Sequence, residues 1–287
     1  MQSFEIREAT AEDIMEIYGT MVVEQWNPGV FDQVTYSKSK SVHMFVGVMD
    51  GRVVSSCCAC IYDTQFAFFG LYLVFDPKNR GKGYGLSTYQ HRLRIMEQMG
   101  VKSIGCDGAL EQTHNYAKNG FVDNYLNRRF SYFVTGSELI NEHISIDKLG
   151  NKTLALFETK FVYEPRLEFI STWLDSDPTM KFASKYNEEK ELLAVGIARQ
   201  AQTGFRVGPI YANSLESAKE IIHALAAQLP QDAELLIDIP EANCHSDHFI
   251  KDLRLRNNDF ECMRMYRGPV PAAALDQVYG VCTLEVG

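Results

Sequence analysis

The sequence predicts an α+β protein on mixed sheets, in two related halves, and three observations carry that prediction. Apolar β-prone runs alternate with helical faces along the first half, a glycine-rich stretch separates a strand from a helix near residue 83, and a strand-helix-strand pattern recurs near residue 210. The first half opens with the alternating run Phe4 to Glu8. Thr10-Ala11-Glu12-Asp13 then forms a capping box ahead of Ile14, Ile17 and Met21, which recur at helical spacing. Met44 to Met49 and Val53 to Ile61 flank Asp50-Gly51-Arg52, a hairpin signal. Phe66 to Phe75 is a third long strand, and Leu86, Tyr89, Leu93 and Met96 mark a helix stopping at Gly100. Ser103 to Asp107 is a short strand, Glu111 to Lys118 a helix and Arg128 to Val134 a closing strand.

A chain of 287 residues exceeds the usual size of one domain. Gly136 to Gly150 is polar and turn-prone, which places a boundary there and gives domains of residues 1–140 and 141–287. The second domain repeats the first. Gly70 leads through a helix to Asp107, and Gly208 leads through a helix carrying Ala218, Ile221, Ile222, Leu225 and Leu229 to Asp238. The second copy is shorter, because only Ala212-Asn213-Ser214 stands where the first has Asp76 to Lys82. The second half is therefore expected to be a degenerate copy that binds no coenzyme and shapes the acceptor pocket or serves interaction.

Composition narrows the function. A net charge of −9 disfavours a nucleic-acid groove, which needs clustered Lys and Arg. The excess sits in residues 141–287 (net −7, against −2 for residues 1–140), an acidic balance suited to a cationic amine or simply to solubility. No stretch approaches the roughly 18 apolar residues that cross a bilayer, and the acidic start is unlike a signal peptide. A cytoplasmic protein with no membrane partner is expected. Seven cysteines form neither a disulfide framework nor a zinc pattern. Strand alternation sends Cys58 and Cys60 to one face and Cys57 to the other as buried thiols. Cys244-His245-Ser246-Asp247-His248 has no second ligand pair at a recognisable spacing, so no metal is expected.

Arg80-Gly81-Lys82-Gly83-Tyr84-Gly85 carries the chemistry. Glycines let successive N–H groups point at one spot, a helix N-terminus adds its partial positive charge, and Arg80 and Lys82 supply cations, so the stretch suits phosphate or pyrophosphate. A plain glycine-rich turn has the same appearance. The P-loop pattern is absent, and Leu86 breaks the dinucleotide fingerprint.

This stretch resembles the Gcn5-related N-acetyltransferase (GNAT) motif Arg/Gln-x-x-Gly-x-Gly/Ala, preceded by Leu73-Val74-Phe75-Asp76-Pro77 where that family has its splayed fourth strand. Asn115-Tyr116-Ala117-Lys118-Asn119-Gly120-Phe121 is similar to the family's later Tyr-x-Lys-x-Gly-Phe segment. Gly208-Pro209-Ile210-Tyr211-Ala212, Arg264-Met265-Tyr266-Arg267-Gly268 and Leu284-Glu285-Val286-Gly287 resemble the C-terminal domain of tandem acetyltransferases of the YitH/HolE type. The resemblance implies the acyl-CoA N-acyltransferase fold, complete within residues 1 to about 136, and acetyl-CoA as co-substrate. Pyrophosphate would lie on Arg80, Gly81, Lys82, Gly83, Tyr84 and Gly85, and pantetheine along Leu73, Val74 and Phe75 and near Asn115 and Tyr116. It further implies transfer to the primary amine of a small molecule, an oxyanion held by an N–H near Phe75, and Tyr116 protonating the departing sulfur. The general base stays open among Glu24, Asp76, Asp107, Glu111 and His114. Two other readings stay open as well, a non-catalytic acyl-CoA sensor and a protein-interaction module.

Overall fold

The computed structural model describes residues 3–162 and 166–287. The first half runs β1 (Phe4–Glu8), α1 (Ala11–Val23), α2 (Asp32–Lys38), β2 (Val42–Met49), β3 (Arg52–Ile61), β4 (Phe66–Val74), α3 (Tyr84–Gln98), β5 (Ser103–Ala109), α4 (Thr113–Ala117) and β6 (Val122–Phe133). The second half repeats that order as β7 (Ile144–Ser145), α5 (Asn151–Glu158), α6 (Leu167–Ser176), β8 (Lys181–Tyr186), β9 (Leu192–Gln200), β10 (Phe205–Ala212), α7 (Leu215–Ala226), β11 (Glu234–Pro240), α8 (Ser246–Asp252) and β12 (Arg256–Arg267), followed by β13 (Val278–Gly280). The tandem repeat thus holds element by element.

Local chemistry explains most elements. Thr10 and Asp13 close the capping box of α1 reciprocally, and Asp50 and Gly51 take positive φ in the β2–β3 turn. Helix α2 is absent from the sequence expectation, because its N-cap is Phe31, which supplies no capping side chain. The helix expected over Glu111 to Lys118 is a 3₁₀ turn at Leu110–Gln112 followed by the short α4. The closing strand starts at Val122, earlier than the apolar pattern indicates. Its first three residues are exposed and polar or isolated, so they carry no periodic signal. Among the described residues no helix is long and apolar enough to cross a membrane.

The strands join in one sheet ordered β1-β2-β3-β4-β5-β12-β6-β11-β10-β9-β8-β7. The halves exchange their last strands. Strand β12 pairs antiparallel with β5 from Cys262↔Ala109 to Arg267↔Ile104, and β6 pairs with β11 from Glu234↔Phe133 to Pro240↔Asn127. The exchanged strands also pair with each other across the centre. Residues 1 to about 136 therefore do not complete the first sheet alone, contrary to what the family resemblance implies. A strand from the second half lies between β5 and β6. The apolar cores follow suit. One cluster joins Ile14, Ile17 and Phe68 to Trp173, Tyr266 and Leu284, whereas a smaller one confined to α3, β4, β5 and their neighbours lies on the other face of the first sheet.

The exchange sets an expectation for truncation. A fragment of residues 1–140 leaves the inner edge of β5 unpaired and exposes core that the second half covers. Denaturant unfolding should show one cooperative transition for the whole chain and none for the fragment. A fragment that unfolds cooperatively at a comparable midpoint would contradict this account.

Candidate functional site

The site begins with a bulge in β4. Phe66 to Phe69 pair in parallel with Ser103 to Cys106, and beyond Phe69 the two strands separate. The cause lies on the other edge, where Cys58 faces Gly70 but Ser56 faces Leu73, so β4 carries an extra residue. Leu71 takes φ +51°, and its carbonyl accepts from Ser56 Oγ at 2.9 Å. The extra residue switches the parity of the strand: Phe66 and Phe68 before it, and Leu71 and Leu73 after it, all face the larger core. Val74 ends the strand, and Phe75 N–H donates to Val54 O at 3.1 Å. That bond occupies the N–H expected to hold an oxyanion. Strand alternation leaves the main-chain groups of Val74 for the open edge.

Asp76 accepts from Lys78 N–H at 2.8 Å and caps a 3₁₀ turn at Pro77–Asn79, which delivers the chain to Arg80. Gly81 and Gly83 follow with φ +76° and +90°, and Gly83 is the N-cap of α3 with no side chain to cap it. Among the described residues, the backbone N–H groups of Gly81, Lys82, Gly83, Tyr84, Gly85 and Leu86 have no protein acceptor. Six free donors at the positive end of a helix suit an anion. Gly85 is needed for another reason, since a Cβ there would lie 2.7 Å from Val74 Cγ2 and 2.9 Å from the Tyr72 hydroxyl. Arg80 pairs with Glu24 at 2.6 Å, and Lys82 bonds Asn79 at 3.3 Å; both are exposed.

The second half shows the same device closed. Phe205 to Val207 pair in parallel with Leu235 to Ile237, and a register shift follows before Ile210. There β13 enters and pairs with Ile210 and Tyr211, while Val281 N–H donates to Asp238 O at 2.9 Å. The gap between strands is filled by the chain itself. Helix α7 is capped by Ser214, which accepts from Ser217 N–H at 3.2 Å.

On the α3 side, Tyr116 is buried among Phe69, Tyr72, Tyr89 and Phe121, with ring centroids 5.6 to 6.4 Å away. Burial pushes its phenol well above the ordinary range, which keeps the proton on the oxygen. Asn115 is exposed, and its side chain donates to Gln112 at 2.8 Å. Sequence reasoning missed Arg92. This fully buried side chain of α3 stacks on Phe69, donates to Cys58 O at 2.8 Å, and leaves Nε and Nη2 without partners among the described residues. Burial lowers its pKa.

Of the five candidate bases, Glu24 and Asp76 hold the loop as described, and Glu111 and His114 are exposed near α4. Asp107 alone stands at the split, directly after the last residue of β5 that pairs with β4. Arg264 grips it through two bonds of 2.7 Å, and Asn127 adds a third at 2.7 Å. Burial raises the Asp107 pKa, and these partners offset part of the rise. Behind it, Asp238 accepts from Arg129 and Arg206, and Arg206 also bonds Glu285 at 2.7 Å. The Glu285 backbone carbonyl packs on Gly70 so closely that a Cβ there would lie 1.7 Å from it. Cys58 and Cys60 share a face, with sulfurs 3.5 Å apart, and Cys57 turns toward α3. Among the described residues no three His, Cys, Asp or Glu side chains gather as a metal site.

Residues 11–121 match the acetyltransferase (GNAT) family and residues 158–280 match an acetyltransferase (GNAT) domain, two matches that together span most of the chain. The chain belongs to the GNAT family, in tandem form, and is an acyltransferase by that membership. A holothin acyltransferase from Pseudoalteromonas sp. (strain SANK 73390) is 26% identical over 290 residues, covering 100% of this chain and 95% of the relative. A putative acetyltransferase from Pyrococcus horikoshii superposes with a TM-score of 0.81 at 22% identity, covering 100% of this chain and 97% of that one. A tandem GNAT protein from the clavulanic acid biosynthesis pathway gives 0.67 at 12% identity, covering 93% and 100%.

The charge network behind the split predicts acid sensitivity. Burial alone would raise the Asp238 pKa, but Arg129 and Arg206 outweigh it and hold the carboxyl at about 2. A depressed carboxyl stabilises the fold above its unfolded pKa and loses that contribution as pH falls through the folded value. About 2 kcal/mol should therefore disappear between roughly pH 4 and pH 2. Unfolding free energy measured against pH should fall less steeply in that window for Asp238→Asn than for wild type; equal slopes would contradict the assignment.

Proposed function

We propose that the protein transfers the acetyl group of acetyl-CoA to the primary amine of a small molecule, with the coenzyme site in residues 1–140 and the acceptor side shaped by residues 141–287. The observation that carries this reading is the row of six unpaired N–H groups at the start of α3, beside strands that have already separated. Pyrophosphate fits those donors, and pantetheine fits the unpaired edge of β4 as an added strand. The thioester supplies an activated carbonyl. The second half offers neither feature, so one coenzyme per chain is expected. A curated relative named for acylating holothin supports a small-molecule acceptor.

The residues divide the chemistry by face. Main-chain groups of Leu73, Val74 and Phe75 set the depth of the pantetheine arm, with Val74 in place of Phe75 as the donor on the open edge. Tyr116, protonated at working pH, donates toward the departing sulfur. The unpaired cation of Arg92, behind the same ring cluster, favours negative charge developing there. Asn115 and the side chains of Arg80, Lys82 and Tyr84 border the coenzyme from the surface. Asp107, gripped by Arg264, orients the acceptor end of the split rather than moving freely as a base.

Two variants test this. Gly83→Asp forces a carboxylate and a Cβ into a φ of +90° at the anion site. Calorimetry should give one acetyl-CoA per wild-type chain and no measurable binding to the folded variant; unchanged affinity would remove the loop from the site. Tyr116→Phe should lower kcat about 10²-fold while coenzyme affinity holds, as for a contact made mainly in the transition state. Turnover equal to wild type would leave Tyr116 with a packing role only.

A further inference from the structure

Six arginine side chains are buried among the described residues: Arg92, Arg129, Arg166, Arg199, Arg206 and Arg264. Five of them hold a carboxylate. Arg129, Arg166, Arg199 and Arg264 present the edge made by Nε and Nη2 to Asp238, Glu158, Asp32 and Asp107 respectively. Arg206 bridges Glu285 and Asp238 through its two terminal nitrogens. Arg92 departs from this pattern. It is the most completely buried of the six, yet the same Nε and Nη2 edge has no partner among the described residues, and Nη1 alone is engaged, by Cys58 O. Ring faces stand where an acid would be: the guanidinium carbon lies 2.9 Å from the Phe69 centroid and 5.2 Å from that of Tyr89. Such faces offset only part of the cost of burying a cation.

The neighbour that can use this charge is Tyr116. Its ring rests on Gly108, where a Cβ would lie 2.7 Å from it, two residues past the last β5 residue that pairs with β4. Tyr116 therefore borders the split, and its centroid is 5.6 Å from Phe69, the ring on which Arg92 stacks. The titratable groups turned toward Tyr116 are Tyr72 of β4, Tyr89 and Arg92 of α3, and Cys106 of β5; Cys57 and Cys58 of β3 approach Arg92 itself. Burial raises every phenol and thiol in this set, with Cys57 pushed up to about 12, so all of them stay neutral and Arg92 is the one charge among them. Beyond Cys106 stand Asp107 and Arg264, bonded to each other, and beyond Tyr89 stands Arg267, bonded to Glu97.

The acid step accounts for the arrangement. As the amine attacks the thioester carbonyl, the C–N bond forms and the C–S bond breaks; sulfur leaves with the electron pair and takes the Tyr116 proton, which leaves a phenolate. The surplus proton on nitrogen returns to that oxygen by way of water, so no further reactant is consumed. A phenol held well above its ordinary range is a weak donor to a thiolate whose conjugate thiol has a pKa near ~8.5, unless the phenolate meets a positive charge. We infer that Arg92 is a positioning residue that makes Tyr116 a working acid, by holding a fixed cation toward the phenolate left when the proton has gone to sulfur. The inference rests on the acyl-transfer reading above, with Tyr116 as its acid.

The test is a double-mutant cycle on the full chain, with release of coenzyme A from saturating acetyl-CoA followed in the presence of tryptamine or putrescine. Arg92→Met removes the charge at similar volume. Arg92→Gln also removes it but keeps a donor for Cys58 O, which keeps the test valid should the first variant fold poorly. Either substitution should lower kcat about 10-fold, less than the ~10²-fold expected of Tyr116→Phe, because Arg92 acts only through that phenol. Made in the Tyr116→Phe protein, where no phenolate forms, the same substitution should change kcat by less than about 2-fold. Acetyl-CoA affinity should be the same throughout, and the unfolding midpoint of Arg92→Met should hold or rise, since an unpaired charge has left the core. Equal losses of kcat in the two backgrounds, or no loss in the presence of Tyr116, overturn the inference, and a midpoint that falls with them assigns Arg92 to packing. Full turnover in Tyr116→Phe alone, or no coenzyme A released by wild-type protein with either amine, would instead overturn the reading on which it stands.

Discussion

The pairing of β6 with β12 at the centre of the sheet, and the ion pairs that ride on those two strands, hold the rest of the molecule in place. Each strand completes the other half's sheet, so neither half can part from the other without opening a row of main-chain hydrogen bonds. Arg264 on β12 reaches Asp107 on β5, and Arg129 on β6 reaches Asp238 on β11, so both exchanged strands carry an arginine to an aspartate of the half they complete. These charges are almost fully buried. A buried pair of this kind adds little net stability over apolar packing, but losing one partner is costly, which makes it a device for register more than for strength.

The two copies differ at the start of the helix that follows their central strand. Both copies part their central parallel strands after a short stretch of pairing, and both place a helix after the first of them. In the first copy the gap stays open and the helix start is a left-handed glycine. In the second, β13 fills the gap and Ser214 caps the helix. The segment that fills the second gap continues to Glu285 and Gly287, where it packs on Gly70 and Phe68 of the first copy. The same ten residues thus close one cleft and border the other. Tightness at Gly70 and at Gly208, where a Cβ would meet Val281 O at 2.0 Å, shows why both copies keep glycine at this point.

Two buried features bear on the chemistry from opposite faces. Arg92 lies under Phe69 beside the tyrosine cluster with no ion-paired acid among the described residues, an arrangement that favours negative charge arriving nearby. On the other face, Arg264 bonds Asp107 at the split and lines a small cavity walled by aromatic rings. The sheet therefore separates Arg92 and the tyrosine cluster from the Asp107–Arg264 pair, with the β4 bulge between them.

Much of this was legible in the residues. The capping box at Thr10, the Asp50-Gly51 turn, the helical faces, the glycine run at 81–85 and the repeat itself are written in short-range patterns, because caps, turns and periodicity depend on neighbours within a few positions. Even the loss of the loop in the second copy shows as a shorter spacing. Helix α2 escaped because it lacks a cap, and the start of β6 because exposed polar residues carry no period. What only the tertiary structure decided is the exchange of β6 and β12, the engagement of the Phe75 N–H by β3, the filling of the second cleft by β13, the isolation of Arg92 and the aromatic cavity. Each of these joins residues far apart in the chain, such as Asp107 with Arg264 or Gly70 with Glu285, and either arrangement of two like strands satisfies the same local pattern. The choice between them rests on cross-sheet packing and charge pairing, which no window of sequence contains.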